Sequence, residues 1–584
     1  MSKNILKNKR SCVFILLFVL GTSVWLGGCD TAYKYDITDG IDNNGASEPD
    51  ITIDTEGGID VSMYEKARIF PGLVDTAKEE RINATIELDL NKQYIDSITL
   101  GVSKVPQPIY STGLYAGAGE QVAITVEDNT MGLSVIVGSH MDDLTELAPY
   151  QRMPLVYVAK ALFPGKNIIK NPLGGPIWIK KSLGLKASGT CSLKIEGVYK
   201  SPDFVIGETD LQDWKRRISE TTVPWLEIRG KHFAFTVQKD RVLDNLESIS
   251  STLQEVGKEW DEAIEEFFFE YYGLKIDKDA EEKERAPEFP FRVVLDVQVL
   301  GNLYLRNSDY AIVAINNTYM LEEMLNLRTL RIGNSVALLS AINSMCTYRS
   351  RNNPWPADYR TVANAIPLYR IGKKNFSKEN AFGEIFPGEE NITTLFPKAI
   401  EYAMADSSKW AKEDAATKYD DKTAYKAFDL LSLIQLANYD NNNWEAMEYL
   451  NLKAKEERSI DNSTLSYAFR MLCDYFKQNL CPFFDYWGVE QLDEDRKYAE
   501  QYPLMDKKIW EYNPLNPQQL KDYDVSSYCY RHSRRDWKVS AYDKGYGINY
   551  DGDSRKPEYL IDGEKKTNWS SGKINDKPLE LPYY

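Results

Sequence analysis

The sequence predicts a multidomain α+β protein: N-terminal β-sandwich-like modules, then a mainly helical domain, then a partial C-terminal β-sandwich. Three observations predict this class. The chain has 584 residues, which is too long for one hydrophobic core. Short segments of alternating apolar and polar residues dominate 59–245, whereas apolar residues at helical spacing dominate 246–515. From about residue 537 the chain returns to short segments that are rich in turns.

The N-terminal residues have the order of an export signal. Basic residues between positions 7 and 10 precede an apolar stretch, Val13–Trp25, that is shorter than a membrane span. Small residues end this stretch just before Cys29, and the Leu-Gly-Gly-Cys sequence resembles a bacterial lipobox, in which the cysteine receives a lipid. We predict a lipoprotein signal over 1–29, with lipidation at Cys29 and an anchor in the bacterial cell envelope, at the outer membrane or cell surface. An ordinary signal peptide and a short membrane anchor are the alternatives.

The composition of residues 30–58 predicts a tether, and the net charge of the chain argues against one class of partner. Residues 30–58 are rich in Asp, Gly, Asn and Thr, which predicts a flexible tether. The net charge of the whole chain is -17. Phosphate contacts need a basic face, so this charge argues against a nucleic-acid partner.

Alternation of apolar and polar residues predicts short strands in the first part of the chain. Gly and Pro clusters separate these segments at a spacing that is typical of β-sandwich modules. We divide this part into a small β-module over 59–105 and a β-rich subdomain over 106–245. The predicted strands include Ala84–Leu90, Val122–Val126, Leu133–Val137, Ile177–Ile179 and Cys191–Val198.

The apolar spacing changes to a helical period near residue 246. Ile249, Leu253 and Trp260 fall on one face, which predicts an amphipathic helix over 246–272. We therefore expect a mainly helical domain over 246–515. Further helices are predicted over 423–439, 443–457 and 463–479, with strand-like exceptions over Val293–Leu300 and Tyr310–Asn316.

The segment Ser111–Glu120 reads STGLYAGAGE and precedes the apolar strand Val122–Val126. It is the first of a series of short phrases that together resemble the enhancin-like metallopeptidase family, whose members target mucins. The resemblance covers roughly 105–515 and implies a β-sandwich-like N-terminal subdomain followed by a zincin-like helical subdomain over 246–515. The further phrases, in family order, are Val137–Asp142, Arg152–Pro154, Asn171–Gly175, Ser201–Phe204, Pro224–Glu227, Asp296–Gln298, Pro482–Gly488 and Ile509–Pro514.

The resemblance also implies a zinc site, and here the sequence departs from the family. An HExxH helix places two histidines on one face as zinc ligands, and the glutamate between them acts as general base. The whole chain contains three histidines, and none lies within HExxH or four residues from another. They are His140, His232 and His532.

The degenerate positions can be assigned by laying Thr329–Ser335 on the family's HEIGHN stretch. Leu330 then replaces the first histidine, Arg331 the glutamate and Asn334 the second histidine. Leucine has no lone pair for a metal, and the guanidinium of arginine cannot accept a proton and repels zinc. We therefore expect no metal, no cofactor and no catalytic residue of the zincin type.

A loop beyond these positions is the candidate for ligand binding. Trp355, Tyr359 and Arg360 lie close together in a Pro-containing segment, and such side chains can stack on a sugar or a glycopeptide. The alternative is a rigid loop that packs on the core.

The C-terminal end resembles the start of another module. Leu560–Trp569 is similar to the opening of discoidin-like modules, of the coagulation-factor type C. Such modules are β-sandwiches of well over a hundred residues. We therefore expect 516–584 to be a linker followed by a truncated discoidin-like module.

Three functions remain open at this point. The first is a lipid-anchored protein, without catalysis, that binds mucin-type glycoproteins or glycans. The second is an active zinc metallopeptidase that cleaves such glycoproteins with an unrecognised metal site. The third is a structural component of a cell-envelope glycan-uptake system, which binds another envelope protein.

Overall fold

A computed structural model of the chain describes residues between 73 and 528, all within the compact unit Ile59–Tyr584. Cys29, the predicted tether 30–58, the loop with Trp355, Tyr359 and Arg360, and residues 529–584 lie outside the described residues. Among the residues that are described, no helix is long and apolar enough to cross a membrane. The gaps within the range are 129, 147–150, 186–187, 300–304, 332–335, 347–391, 406–430, 440–443, 457–463, 488–490, 515 and 517–518.

Eight strands form the N-terminal part of the structure. Their hydrogen-bonded order is β5-β4-β7-β2-β8-β3-β6, and β1 pairs with β8. All of these pairs are antiparallel, and alternate residues of the strands share one apolar core, which is the arrangement of a β-sandwich. The strands are β1 Ile82–Asp89, β2 Ile109–Ala116, β3 Gln121–Val126, β4 Leu133–Val137, β5 Val158–Leu162, β6 Gly165–Lys170, β7 Gly175–Lys181 and β8 Thr190–Lys200.

The first predicted boundary does not coincide with a break in this sheet. We expected 59–105 to be a separate β-module, but β1 pairs with β8 along its whole length, from Ile82 opposite Val198 to Asp89 opposite Thr190. The alternation in β1 predicts a strand and cannot indicate its partner, because the partner lies about a hundred residues further along the chain. In the structure, β1 therefore belongs to the same sandwich as 106–200.

A second sheet of six strands begins after the sandwich. Its order is β13-β14-β12-β11-β10-β9, with parallel pairs at β9–β10, β11–β12 and β12–β14. The strand-like exceptions predicted over Val293–Leu300 and Tyr310–Asn316 correspond to β12 and β14, so the predicted boundary at 245 falls inside this sheet. The strands are β9 Phe204–Val205, β10 Trp225–Arg229, β11 Phe233–Gln238, β12 Phe291–Asp296, β13 Leu305–Asn307 and β14 Ile312–Ile315.

Helices cover the second sheet and continue to the end of the described chain. The amphipathic helix predicted over 246–272 is an α-helix over Leu246–Ala263, a π-helical turn over Ile264–Phe269 and a short 3-10 turn. Its buried face carries Leu253 and Trp260 into the core that the second sheet also lines. The other helices are Ser97–Leu100, Leu211–Glu220, Lys239–Leu243, Thr318–Leu325, Leu327–Arg331, Val336–Cys346, Ile392–Ala405, Glu445–Glu456, Thr464–Phe476, Cys481–Tyr486 and Asp493–Ala499, and residues 431–437 are helical as well. The predicted mixture of a β-rich part and a helix-rich part is confirmed.

Candidate functional site

Leu330 and Arg331, two of the three positions that we align with the family's zinc motif, lie on a short helix, Leu327–Arg331, which we call the degenerate helix. The Asn326 side chain accepts a hydrogen bond from the Thr329 backbone N–H at 3.0 Å, which caps the start of this helix. Leu330 is 5% exposed and belongs to the main apolar core. Arg331 is the last residue of the helix, and Asn334 lies outside the described residues. The position that we align with the family's first histidine is therefore occupied by a buried apolar side chain.

A buried carboxyl lies beside this helix. Glu323, on helix Thr318–Leu325, is 1% exposed, and its Oε2 accepts a hydrogen bond at 3.0 Å from the Leu338 N–H, in the first turn of helix Val336–Cys346. Burial raises the pKa of Glu323 to about 7, although hydrogen bonds from Tyr319 and from backbone N–H groups act in the opposite direction. Glu323 connects two helices next to the degenerate motif.

The described side chains of the degenerate helix do not fit a zinc ion. Zinc sites use several nitrogen, sulfur or carboxylate ligands, and Leu330 offers none. In the part of the chain that the structure describes, no group of three or more His, Cys, Asp or Glu side chains has the geometry to hold a metal.

The two described histidines have structural hydrogen bonds. The His140 Nε2–H donates to the Leu295 carbonyl oxygen at 2.9 Å, and its ring contacts Trp225 edge to face. Burial lowers the pKa of His140 to about 4, so the ring is neutral. His232 Nε2 lies 2.7 Å from a Glu265 carboxylate oxygen, and burial lowers the pKa of this histidine too.

A buried ionic cluster joins the sandwich to the second sheet. The Arg152 guanidinium donates to both carboxylate oxygens of Asp296, at 2.9 to 3.2 Å, and both side chains are fully buried. Asp142 accepts from Arg306 and from the Tyr310 hydroxyl. Sequence reasoning did not identify this cluster, although Asp142, Arg152 and Asp296 each lie in one of the family phrases.

A second ionic cluster lies where β2 and β7 meet the second sheet. The Arg292 guanidinium donates to the Glu227 carboxylate at 2.8 Å and to the Ser111 hydroxyl at 2.8 Å, and it packs over the Trp178 ring. The Trp178 indole N–H donates to the same carboxylate at 3.1 Å. Arg229 lies next to this cluster on β10, with Nε 3.8 Å from Glu227.

Two concave sites are present among the described residues. The Ser248 pocket, about 360 Å³, is lined by residues between Asn245 and Thr252 and between Thr318 and Arg328, which include four hydroxyl side chains. It adjoins the degenerate helix, which supplies Leu327 and Arg328. The Arg229 groove, about 750 Å³, lies between β1, the start of β2, the β10–β11 turn and the segment before β12. Both volumes lie in the range of ligand sites, roughly 300–1,000 Å³.

Two family models match consecutive parts of the chain. Residues 80–195 match the N-terminal domain of M60-like peptidases, and residues 197–331 match peptidase M60, enhancin and enhancin-like. Residues 80–331 therefore resemble the scaffold of M60-like peptidases. The second match ends within the stretch that we aligned with the zinc motif. The predicted resemblance to the enhancin-like family is confirmed for these residues.

Solved structures show the same fold at low sequence identity. The ZmpB metallopeptidase from Clostridium perfringens has a TM-score of 0.54 and 17% identity, with 74% of this chain and 82% of that chain covered. The M60 catalytic domain of ZmpC from the same organism, in complex with the sialyl T antigen, has a TM-score of 0.54 and 15% identity, with 74% and 82% covered. A functionally unknown protein from Bacillus anthracis has a TM-score of 0.54 and 18% identity, with 75% and 82% covered.

Curated relatives match over part of their length. Human TRPM8 channel-associated factor 2 is 27% identical over 195 residues, which are 32% of this chain and 19% of that protein. Mouse TRPM8 channel-associated factor 3 is 24% identical over 419 residues, which are 69% of this chain and 40% of that protein. The chain thus matches about a fifth of the length of the first of these relatives and two fifths of the second.

Proposed function

We propose that this chain is an exported lipoprotein with a degenerate M60-like peptidase scaffold, which binds mucin-type glycoproteins or glycans without hydrolysing them. The observation that carries the proposal is the burial of Leu330, the residue that we align with the family's first zinc ligand. A leucine that belongs to the apolar core has no lone pair for a metal and no proton to exchange.

The histidines of the chain support the absence of zincin catalysis. The sequence contains three, and none has the spacing of a zinc helix. His140 and His232 have hydrogen-bond partners elsewhere, at Leu295 and Glu265. A zinc-activated water, which metallopeptidases use as the nucleophile, would have no ligand set here.

Two observations support glycan binding. Structural neighbours of low identity have been solved with the sialyl T antigen and with the Tn antigen. In this chain, the Ser248 pocket adjoins the degenerate helix and presents hydroxyl donors and acceptors above an apolar floor that includes Leu321 and Leu325. Sugars combine hydroxyl groups with apolar C–H faces, so such a lining suits them. The loop with Trp355, Tyr359 and Arg360 lies outside the described residues and stays a separate prediction of a stacking surface.

The first experiment measures zinc on the full chain, purified in detergent, after incubation with zinc and dialysis. We expect a metal content near zero and no cleavage of mucin-type glycopeptides, with ZmpB as the positive control. A content near one zinc per chain, together with cleavage that a chelator abolishes, would show that the chain is an active peptidase with an unrecognised site.

The second experiment measures binding of the same protein to an array of mucin-type glycopeptides. Ser248→Trp fills the Ser248 pocket and should abolish binding. The control is Ser219→Trp, at an exposed helical serine outside the pocket lining. Equal binding by both variants would place the glycan elsewhere. No binding to any glycopeptide would reject the proposal and leave the structural role in a glycan-uptake system.

A further inference from the structure

The Arg229 groove and the Ser248 pocket lie at opposite ends of the second sheet. Groove residues Pro287–Pro290 lead directly into β12 at Phe291. Pocket residue Thr318 instead follows the end of β14 at Ile315. Since β12 and β14 are parallel, the two sites lie at opposite ends of these strands. A ligand in the groove is therefore separate from the degenerate zinc-motif helix.

Three arginines that line the Arg229 groove each have one buried N–H without an acceptor among the described residues. Arg229, Arg285 and Arg292 all line the groove, and no described residue accepts a hydrogen bond from any of their buried Nε atoms. Arg292 is 4% exposed, and its two Nη atoms are already bound to Glu227, Ile109 and Ser111. Arg292 is therefore held in place by its Nη contacts, and its Nε has no exposed surface for a ligand.

The carboxylates that line the groove accept no hydrogen bond from these arginine Nε atoms. Both carboxylate oxygens of Asp261 accept backbone N–H groups of the β10–β11 turn. Asp89 accepts from Asn91, and Glu288 accepts from the Gln93 N–H. Asp261 is thus engaged through both oxygens, and Glu288 also lies 4.0 Å from Lys278, so neither carboxylate neutralises the arginines of the groove. Two further acids of the lining remain to accept from ligand hydroxyl groups, namely Glu87 and Glu208.

Arg229 is the arginine that a ligand can reach. Its side chain is 23% exposed, and its nitrogen atoms lie 3.5 Å from Asp203 and 3.8 Å from Glu227, too far for strong hydrogen bonds. A guanidinium in loose ion pairs can form a bidentate pair with a carboxylate or a sulfate. Lys92 and Lys278 also line the groove and add positive charge.

We propose that the Arg229 groove binds an acidic saccharide, with Arg229 paired to its carboxylate or sulfate and with Glu87 and Glu208 accepting from its hydroxyl groups. This inference rests on the proposed glycan-binding function and extends it, because it assigns a second contact to a mucin-type ligand and requires that ligand to be acidic.

The test is calorimetric titration of the full chain in detergent with 3′-sialyllactose, 3′-sulfolactose and lactose. We expect one or both acidic sugars to bind, and lactose to bind at least roughly tenfold more weakly, as for the loss of a charged hydrogen-bonded pair. Comparison of 3′-sialyllactose with 3′-sulfolactose identifies whether the groove binds a carboxylate or a sulfate. Equal binding of all three sugars, or no binding of either acidic sugar, would overturn the proposal.

Variants locate the binding within the protein. Arg229→Gln should weaken the acidic sugar roughly tenfold or more. The double variant Lys92→Gln/Lys278→Gln should weaken it less, and only at low salt, because Lys278 is largely exposed. Lys521→Gln, also exposed and outside the groove, is the matched control and should leave binding unchanged. If Arg229→Gln fails to fold, the Lys92→Gln/Lys278→Gln variant provides the test. An affinity for the acidic sugar that is unchanged in this variant at low salt rejects the groove as the binding site.

Failure of this inference is distinguishable from failure of the proposed function. If Ser248→Trp abolishes glycopeptide binding and the groove variants do not change it, the glycan function stands and the groove is rejected. If the acidic sugar binds and depends on Arg229, but no mucin-type glycopeptide binds, the groove stands and the proposed ligand is wrong.

Discussion

Replacement of the buried Glu323 by glutamine should stabilise the protein at neutral and alkaline pH. Glu323 is 1% exposed and is bonded to the Tyr319 side chain and to the N–H of Leu338. Glutamine has the same shape and keeps an oxygen for the Leu338 N–H. The variant therefore removes the ionisable group while it retains the contact between the two helices.

The magnitude follows from the difference between the folded and the unfolded pKa of Glu323. The ordinary value is 4.5, and burial raises it to about 7 in the folded state. Because the folded pKa is raised, the carboxyl supports the fold fully below about pH 4.5, and this support is lost as the pH rises to about 7. At ~1.4 kcal/mol for each pH unit, the wild type loses roughly 3 kcal/mol over this window.

The assay is urea unfolding of wild type and Glu323→Gln at several pH values between 4 and 8. The free energy of unfolding of the two proteins should be similar at pH 4, and the variant should be more stable at pH 8 by about 3 kcal/mol. Glu322→Gln, at the exposed neighbouring residue, is the control and should show no such divergence. A difference between wild type and Glu323→Gln that does not change with pH would refute the reasoning.

Three further predictions concern buried or strained positions. Asp296→Asn leaves the buried Arg152 guanidinium with Asp142, 3.8 Å away, as its remaining charge partner, and should lower the free energy of unfolding by roughly 3 kcal/mol, the lower end of the range for a broken buried pair, in denaturant titrations; a loss below about 1 kcal/mol would contradict the buried pair. Gly174→Ala should destabilise much more than Gly165→Ala by thermal unfolding, because both glycines have positive φ but only the added Cβ of residue 174 would lie 2.4 Å from a backbone oxygen. The His140 imidazole should show no titration between pH 5 and 8 by NMR, because burial lowers its pKa to about 4. The neutral ring supports the fold fully above pH 6.5, and this support is lost as the pH falls towards 4. A titration midpoint near 6.5 would show that the ring is not buried.

Local periodicity predicted many elements of the fold. Alternation in Val122–Val126 and Leu133–Val137 corresponds to β3 and β4, and helical spacing from Ile249 to Trp260 corresponds to the helix Leu246–Ala263. These signals are local because each depends on which side of one strand or helix is apolar. They could not show that β1 joins β8, because the register of a strand depends on residues far away in the sequence.

Some features of the candidate site could be predicted from the sequence, and others depend on tertiary packing. The absence of an HExxH sequence is a property of residue identity and needs no coordinates, whereas the alignment of Leu330 with the first histidine stays a prediction. The burial of Leu330 and the pKa of Glu323 depend on what packs around them. The Ser248 pocket and the Arg229 groove are lined by segments that are distant in sequence, so neither had a local signal.

The sequence by itself determined the change from strands to helices, the likeness of residues 80–331 to the M60-like scaffold and the absence of zinc-ligand spacing, since these depend on residue type and short-range order. Only the tertiary structure decided which charges meet. The Arg152–Asp296 pair spans 144 residues and the Arg292–Glu227 pair spans 65, and both form where two sheets pack. Burial also depends on that packing, and burial sets whether a carboxyl such as Glu323 keeps its proton near neutral pH.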